Sequence, residues 1–407
     1  MTGEDAEAPA VAAAPAPAPR RIEAPWLRHP GLVKVVAALS AGGARALFVG
    51  GCVRNTLLGE PVHDIDLATD AAPERVQELL SAAGIRHVPT GLEHGTVTAV
   101  AEGRGFEITT FRHDVETDGR RARVAFGAAL EEDAARRDFT LNALYAEADG
   151  TVLDPIGEGL SDLAARRVRF IGDPAARIAE DRLRILRFFR FHALYGDPRR
   201  GVDPDGLAAC AAAAEGVESL ARERVGAELR RLLAAPDPWP ALAAMETAGV
   251  LGRVVPGAEA ERVRALVAVE AQAGAAPDWK RRLIVLGLDP GDATERLRLS
   301  RVETRALAAI RAALAERRPP AQTAYRHGAE AARDAALLRA AAEGTAPPRN
   351  LSRETARGAT AEFTVRAEDL LARGMKPGKA LGERLAALEE EWLASDFRMS
   401  RGELLDR

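Results

Sequence analysis

The sequence predicts an α+β protein in which a small α/β unit with a mixed sheet precedes a longer, mainly α-helical remainder. Three observations carry this. Short β-branched or alternating runs cluster in the first 150 residues, whereas the helical period takes over from about Ser161. Hydrophobic residues reach 47% but aromatics only 4%, with alanine-rich runs such as Ala208 to Ala214, a balance that favours helix over sheet. At 407 residues the chain is also too long for one ordinary core, so roughly two to four compact units are expected.

Residues 1–27 read as a disordered leader. Glu4, Asp5 and Glu7 precede an Ala/Pro run to Pro19, which lacks the basic start and apolar centre of a signal peptide. Leu32 to Leu39 then suits a short helix, and Ala46-Leu47-Phe48-Val49 an interior strand that ends in a tight turn at Gly50-Gly51. A helix is expected from Val53 to Leu58. Asp64 to Ala68, Thr96 to Val100 and Gly105 to Phe111 have strand character, and Pro73 to Ala83 reads as a helix opened by proline and stopped at Gly84. The α/β unit is therefore expected over residues 28–150. Helical units are expected over 151–235, 236–315 and 316–407, with breaks near Gly196 to Pro204, Pro236 to Pro240, Gly274 to Asp278 and Pro319-Pro320.

The formal net charge of −4 argues against coating nucleic acid through bulk positive charge. Any such contact must be local. Arginines cluster at Arg120, Arg121 and Arg123, at Arg136 and Arg137, and from Arg177 to Arg200, which suits either a basic groove or solvated helix faces. With only Cys52 and Cys210, neither a disulfide framework nor a cysteine-based zinc site can be built, which fits a reducing cytoplasm. No window approaches the run of about 20 apolar residues that spans a membrane, and nothing in the sequence signals an oligomeric state.

The chemistry concentrates in Gly50-Gly51-Cys52-Val53-Arg54 followed by Asp64-Ile65-Asp66. Residues two apart on a strand share a face, so Asp64 and Asp66 bring two carboxylates together. Such carboxylates repel unless a cation lies between them, and Mg²⁺ suits oxygen ligands that leave room for phosphate. Gly50 and Gly51 allow close backbone approach, with helix-opening N–H groups available to an anion. Either motif alone is common in surface turns; the combination points to a nucleotide-and-metal site. A third carboxylate is expected on a neighbouring strand, and Glu107 is the candidate, unless it is only the polar side of an edge strand. The HD dipeptides at His63-Asp64 and His113-Asp114 lack the other ligands of a phosphohydrolase. Trp239, Trp279 and Trp392 read as helix-packing residues.

Asp181, Arg184, Arg187 and Arg190 recur every three residues, about 4.5 Å per step along a helix. Apolar residues surround them, so some of these arginines must lie in a cleft and need partners. A base edge and a triphosphate suit planar paired donors and carboxylate acceptors; an i, i+3 salt-bridge ladder is the alternative.

The run GGCVRNTLLGEPVHDIDLATD resembles the nucleotidyltransferase motif of the class II bacterial tRNA CCA-adding enzyme and poly(A) polymerase family. TGLEHGTVTAV, FEITTFRHDVETDGRR, RRDFTLNALY, DPIGEGLSDLAARRVRFIGDP and EDRLRILRFFRF resemble the family's following segments in order. Arg222-Glu223-Arg224 with Glu228-Leu229, and the tail run GMKPGKALGERL, extend the likeness. The resemblance implies a nucleotidyltransferase head followed by a helical neck, body and tRNA-binding tail, adding CCA to the tRNA 3′ end from CTP and ATP with Mg²⁺ held by Asp64 and Asp66. It further implies that Asp181 and Arg184 read the incoming base, that Arg187 and Arg190 hold the nucleotide, and that Arg137, Asp138 and Asn142 support its sugar and phosphates. Gly51 and Arg54 match nucleotide-contacting positions. Asn55 departs from the pattern, standing where the family usually has aspartate. A poly(A) polymerase or an enzyme adding only A is the rival within the family, and a non-catalytic RNA-binding protein the rival outside it.

Overall fold

The structure, a computed structural model, describes residues 20–118 and 121–407. The expected leader through residue 19 and Arg120 lie outside the described residues, as do the side chains of Arg121 and Arg123. Two compact units are present, Met1–Glu180 and Asp181–Arg407.

The first unit is built on a mixed seven-stranded sheet. Helix α1 (Pro30–Ala41) precedes β1 (Leu47–Val49), α2 (Gly51–Leu58), β2 (Asp66–Thr69) and α3 (Pro73–Ala82). Strands β3 (Arg86–Gly91), β4 (Thr96–Ala101) and β5 (Arg104–Thr110) follow, then a separate hairpin, β6 (Arg112–Asp118) with β7 (Arg121–Phe126). Helix α4 (Leu130–Ala135), strands β8 (Tyr145–Ala146) and β9 (Val152–Leu153), and helices α5 (Gly159–Ala164) and α6 (Pro174–Glu180) complete the unit. The sheet order is β3-β4-β5-β2-β1-β8-β9. Only the β2–β5 pairing is parallel.

Local sequence explains these elements. Leu47, Phe48 and Val49 are all buried, the signature of a strand covered on both faces. In β4, Val97, Ala99 and Ala101 point inward while Thr96, Thr98 and Val100 lie half-buried on the other face. Helix α1 packs so close to β4 that a Cβ on Gly31 would meet the Ala101 carbonyl at 2.7 Å. The chain before α1 is also tied down. The Ile22 amide donates to the Gly150 carbonyl (2.9 Å), the Val152 amide to that of Arg20 (2.8 Å), and Trp26 packs edge-on against Phe48 at 4.9 Å between ring centres.

The second unit is helical among the described residues. It opens with α7 (Leu183–Tyr195), α8 (Pro204–Ala212) and α9 (Arg222–Leu233). Leu183, Ile185, Leu186, Phe188, Phe189 and Phe191 of α7 are all buried, so this helix is a core element despite its arginines. The chain just past the end of α9 is held by Arg282, 1% exposed, which donates to the carbonyls of Leu233 (2.7 Å) and Pro236 (3.0 Å) and to Glu270 (2.7 Å). Carbonyls at a helix end lack intrahelical donors, and a buried guanidinium supplies them. Trp392 packs with Tyr325, Phe363 and Phe397 in an apolar cluster near the C-terminus. No helix among the described residues is long and apolar enough to cross a membrane.

His192, at the buried face of α7, has its Nε2 enclosed without a protein partner. Burial, only partly offset by Asp197, lowers its pKa to about 4. The unfolded chain therefore takes up a proton near pH 6.5 that the folded chain refuses until about pH 4. Stability is unaffected above pH 6.5 and falls as the pH drops through this window, by about 3 kcal/mol in full. Urea denaturation of wild type and His192→Leu at pH 7.5 and pH 4.5 checks this: the variant should lose less stability on acidification.

Candidate active site

The register of three strands assembles the site. Leu67 of β2 lies opposite Phe48 of β1, so one step further along this antiparallel pair Val49 stands beside Asp66, and Gly50 follows at the same end. On the other side of β2, the parallel pairing sets Asp66 against Glu107. The turn after β1, the start of β2 and the middle of β5 thus meet at one edge. Ile65 is buried whereas Asp64 and Glu107 are exposed and Asp66 half-buried, so the acids face away from the core.

Strand β2 begins at Asp66, two residues later than the sequence pattern suggests. The reason is local: hydrogen-bonded pairing starts at Asp66, while the His63 carbonyl is taken by the Arg104 guanidinium instead of a strand. Asp64 nevertheless acts on Asp66. Burial first, then the neighbouring Glu107 and Asp64 carboxylates, push Asp66 up to about 6 against the opposing pull of Arg137.

Gly50 adopts φ 69° and ψ −118°, a conformation that only glycine takes without strain. A Cβ there would sit 3.6 Å from the Asn142 carbonyl and 3.8 Å from Arg137 Nη1, so backbone conformation rather than space demands glycine. Helix α2 starts at Gly51, earlier than expected, which leaves the amides of its first turn at the open end as anion donors. The Gly50 amide is anchored on the Leu144 carbonyl at 3.0 Å.

Two polar networks border this edge. In the first, Asp133 accepts from Tyr145 Oη (2.6 Å) and Arg137 Nη2 (3.0 Å), while Arg137 Nε donates to Tyr145 Oη (2.9 Å). Arg137 and Arg136, together with the Tyr145 hydroxyl, hold the buried Asp133 down at about 2, outweighing its burial; the Asp133 carboxylate adds to burial in raising Tyr145. In the second, Asp138 accepts from Asn142 Nδ2 (2.8 Å) and the Phe139 amide (2.9 Å). Asn142 Oδ1 in turn accepts from Arg54, which is 6% exposed. Arg54 also donates Nε (3.0 Å) and Nη2 (2.8 Å) to Asn55 Oδ1.

In the second unit, Asp181 precedes α7 and accepts from the Leu183 amide (3.0 Å) and from both Arg224 Nη atoms (3.3 and 2.7 Å). Arg184 and Arg187 are half-buried, and the Arg187 guanidinium lies 5.3 Å from the Phe191 ring centre. Arg190 is buried, donates to Glu228 Oε2 and lies 4.3 Å from the same ring. Burial holds it below the usual guanidinium range despite Glu228. Of the stripe predicted on this helix, Arg190 is thus a packed residue and Arg184 and Arg187 its more accessible members.

A CCA-adding enzyme of Limosilactobacillus fermentum is 34% identical over 395 residues, spanning 91% of this chain and 96% of that protein. The chain belongs to the CCA-adding enzyme family. A mouse family member, the mitochondrial CCA tRNA nucleotidyltransferase 1, is 33% identical over 382 residues, 88% of this chain and 85% of its own. The crystal structure of the Bacillus stearothermophilus CCA-adding enzyme in complex with CTP superposes with a TM-score of 0.73 at 28% identity, covering 89% of this chain and 92% of that one. Residues 46–169 match the poly A polymerase head domain, and residues 201–262 match a probable RNA and SrmB-binding site of polymerase A.

Asn55, at the position where the resemblance implies aspartate, still provides an acceptor. Asn55 Oδ1 takes two bonds from Arg54, and the amide nitrogen donates to the Pro61 carbonyl at 2.7 Å. Sequence reasoning missed Asp133 and Tyr145, which fix Arg137, and gave no role to Arg224 and Glu228. The only available signal was their position inside or beside motif runs, since a buried carboxylate has no periodicity of its own.

Among the described residues, no three His, Cys, Asp or Glu side chains converge to hold a metal unaided. The donor set still suits a hard divalent ion that takes phosphate and water oxygens as well, because burial and the neighbouring carboxylates already keep Asp66 from ionising freely.

Burial and crowding at Asp66 together set a stability prediction. The folded pKa of Asp66 exceeds its unfolded value of 3.8, so the penalty is absent below pH 3.8 and complete above about pH 6. In metal-free buffer at pH 7.5, Asp66→Asn should stabilise the protein by about 1–2 kcal/mol, discounted for partial exposure, and by nothing near pH 4. Thermal denaturation at the two pH values checks it.

Proposed function

We infer that this chain adds CCA to the 3′ end of tRNA from CTP and ATP. The observation that carries the reading is the set of acids at positions 64, 66 and 107 gathered at the Gly50 turn, in a chain that matches a CCA-adding enzyme over nearly its whole length. In the reaction, the terminal 3′-hydroxyl attacks the α-phosphorus of the nucleotide. The bond to the β-phosphate oxygen breaks, pyrophosphate leaves, and the hydroxyl proton passes to solvent or a nearby carboxylate.

Each residue has a part. Gly50 and Gly51 give the phosphates access to the opening amides of α2. Arg54 and Arg137 orient the nucleotide, kept in place by Asn142 with Asp138 and by Asp133 with Tyr145 respectively. Asp64 and Asp66 hold Mg²⁺, which supplies charge neutralisation at the phosphates when bound, and Glu107 shares the same carboxylate face. Asp181 and Arg184 read the base edge through paired donors and acceptors, Asp181 exchanging its pairing with Arg224 as it does so. Arg187 contacts the nucleotide. Arg190 supports it from behind through Glu228.

Cytoplasmic action is consistent with two free cysteines, both buried, with burial pushing Cys52 up to about 11 and Cys210 up to about 12. The protein needs no overall basic charge, because tRNA can be met by shape and local backbone contacts.

Asp64→Ala and Asp66→Ala should each lower nucleotide transfer by on the order of 10³-fold while the far-UV spectrum and unfolding transition persist. Near-normal turnover in either variant would end this reading. Supplying tRNA transcripts that lack CCA, end in CC or carry full CCA with labelled CTP or ATP separates the activities. CTP followed by one ATP, then arrest, is expected; an open-ended A ladder would instead assign poly(A) synthesis.

A further inference from the structure

Asn55 lies between a group that can only donate hydrogen bonds and a group that can only accept them. Arg54 presents Nε at 3.0 Å and Nη2 at 2.8 Å to Asn55 Oδ1, and the Pro61 carbonyl lies 2.7 Å from Asn55 Nδ2. A guanidinium has no acceptor and a carbonyl no donor, so one orientation of the amide satisfies both neighbours and the flipped one satisfies neither. The main chain of the same residue adds a third tie: the Glu60 amide donates to the Asn55 carbonyl at 2.8 Å where α2 ends at Gly59.

The segment held in this way runs from Gly59 to His63 directly into Asp64 and β2. Apart from Asn55, its grip on the fold includes the Arg104 guanidinium on the His63 carbonyl. The loop is otherwise solvent-facing, with Gly59, Glu60, Pro61 and His63 exposed. Two side-chain donors, one from α2 and one from β5, thus take the carbonyls of residues 61 and 63, just before the acidic pair.

We propose that Asn55 is a positioning residue for nucleotidyl transfer: its amide fixes Arg54 and the Pro61–His63 loop to each other, so that the phosphate-binding helix and the segment delivering Asp64 and Asp66 form one rigid piece. The proposal rests on the functional reading above. An aspartate at this position would keep the Arg54 contact but could not donate to Pro61. Its carboxylate would face the carbonyl oxygen and repel it. In this chain the amide therefore performs a coupling that an acid at the same place cannot.

Asn55→Asp separates the two arms, because it retains the grip on Arg54 and removes the grip on Pro61. In the purified full chain, amide hydrogen exchange of residues 59–64 without nucleotide should quicken by about tenfold, while exchange of α2 stays close to wild type. For CTP incorporation into a tRNA transcript lacking CCA, the KM for CTP should stay within about twofold and kcat should fall by about tenfold. Asn55→Ala removes both arms, and the KM should then rise severalfold together with the loss in kcat. If the alanine variant does not fold, the near-isosteric aspartate variant decides alone. Wild-type exchange of residues 59–64 in Asn55→Asp would overturn the coupling, and faster exchange with unchanged kcat would overturn its part in transfer. A wild-type chain that transfers no nucleotide condemns the functional reading instead, and the exchange data still judge the coupling.

Discussion

Strand β2 is paired antiparallel with β1 on one side and parallel with β5 on the other, and the rest of the head follows from that double pairing. Leu67 and Ala68 are adjacent, so they point to opposite faces, and both are essentially without exposure: β2 is covered on both sides, and the register it adopts sets Asp66 beside Glu107. The same register that buries the apolar side chains therefore crowds Asp66, Glu107 and Asp64 at the edge where α2 begins. The crowding works against folding, since it raises the cost of ionising Asp66. On the proposed reading, a divalent cation held by these acids would relieve that repulsion.

The groups around the acids also hold two arginines still. Arg137 is clamped by Asp133 and Tyr145, and Arg54 by the neutral amides of Asn55 and Asn142. Amides give a guanidinium direction without adding opposing charge, whereas a carboxylate gives both. Asp133 supplies a charged clamp for Arg137, which sits near Asp66 and tempers its shift, while Asn55 and Asn142 give Arg54 two neutral acceptors beside the Gly50 turn. A chain with net charge −4 can concentrate positive potential locally by this choice of partners.

What was legible in the sequence was whatever repeats over a short distance. The Asp64-x-Asp66 alternation, the glycine pair closing an apolar strand, the inward-facing residues of β4 and the three-residue arginine spacing on α7 all report local geometry. Elements defined by distant pairing were not legible. Strand β3 is polar and contains Pro89, while β8 and β9 are two residues long, so none has an apolar period to display. Asp133 is 12 residues from Tyr145 and Asp181 is 43 from Arg224; nothing local marks either partner. The start of β2 was misplaced for the same reason, because it depends on where β5 pairs.

On the proposed reading, helix α7 and the Asp181 before it carry this logic to base recognition. Its apolar residues are buried on several faces, so its polar residues meet fixed surroundings, and Asp181 is already satisfied by Arg224 and the Leu183 amide. A half-buried carboxylate left without donors would be costly, and Arg224 and the Leu183 amide supply them. On the proposed reading, a base that engages Asp181 displaces a charge-assisted hydrogen bond before it forms its own, so binding is an exchange of partners. Only a base whose donors match the geometry recovers what the exchange gives up, and a mismatched one leaves either Asp181 or Arg224 unsatisfied. Selectivity then comes from the difference between two paired states, one of which is the Asp181–Arg224 pair.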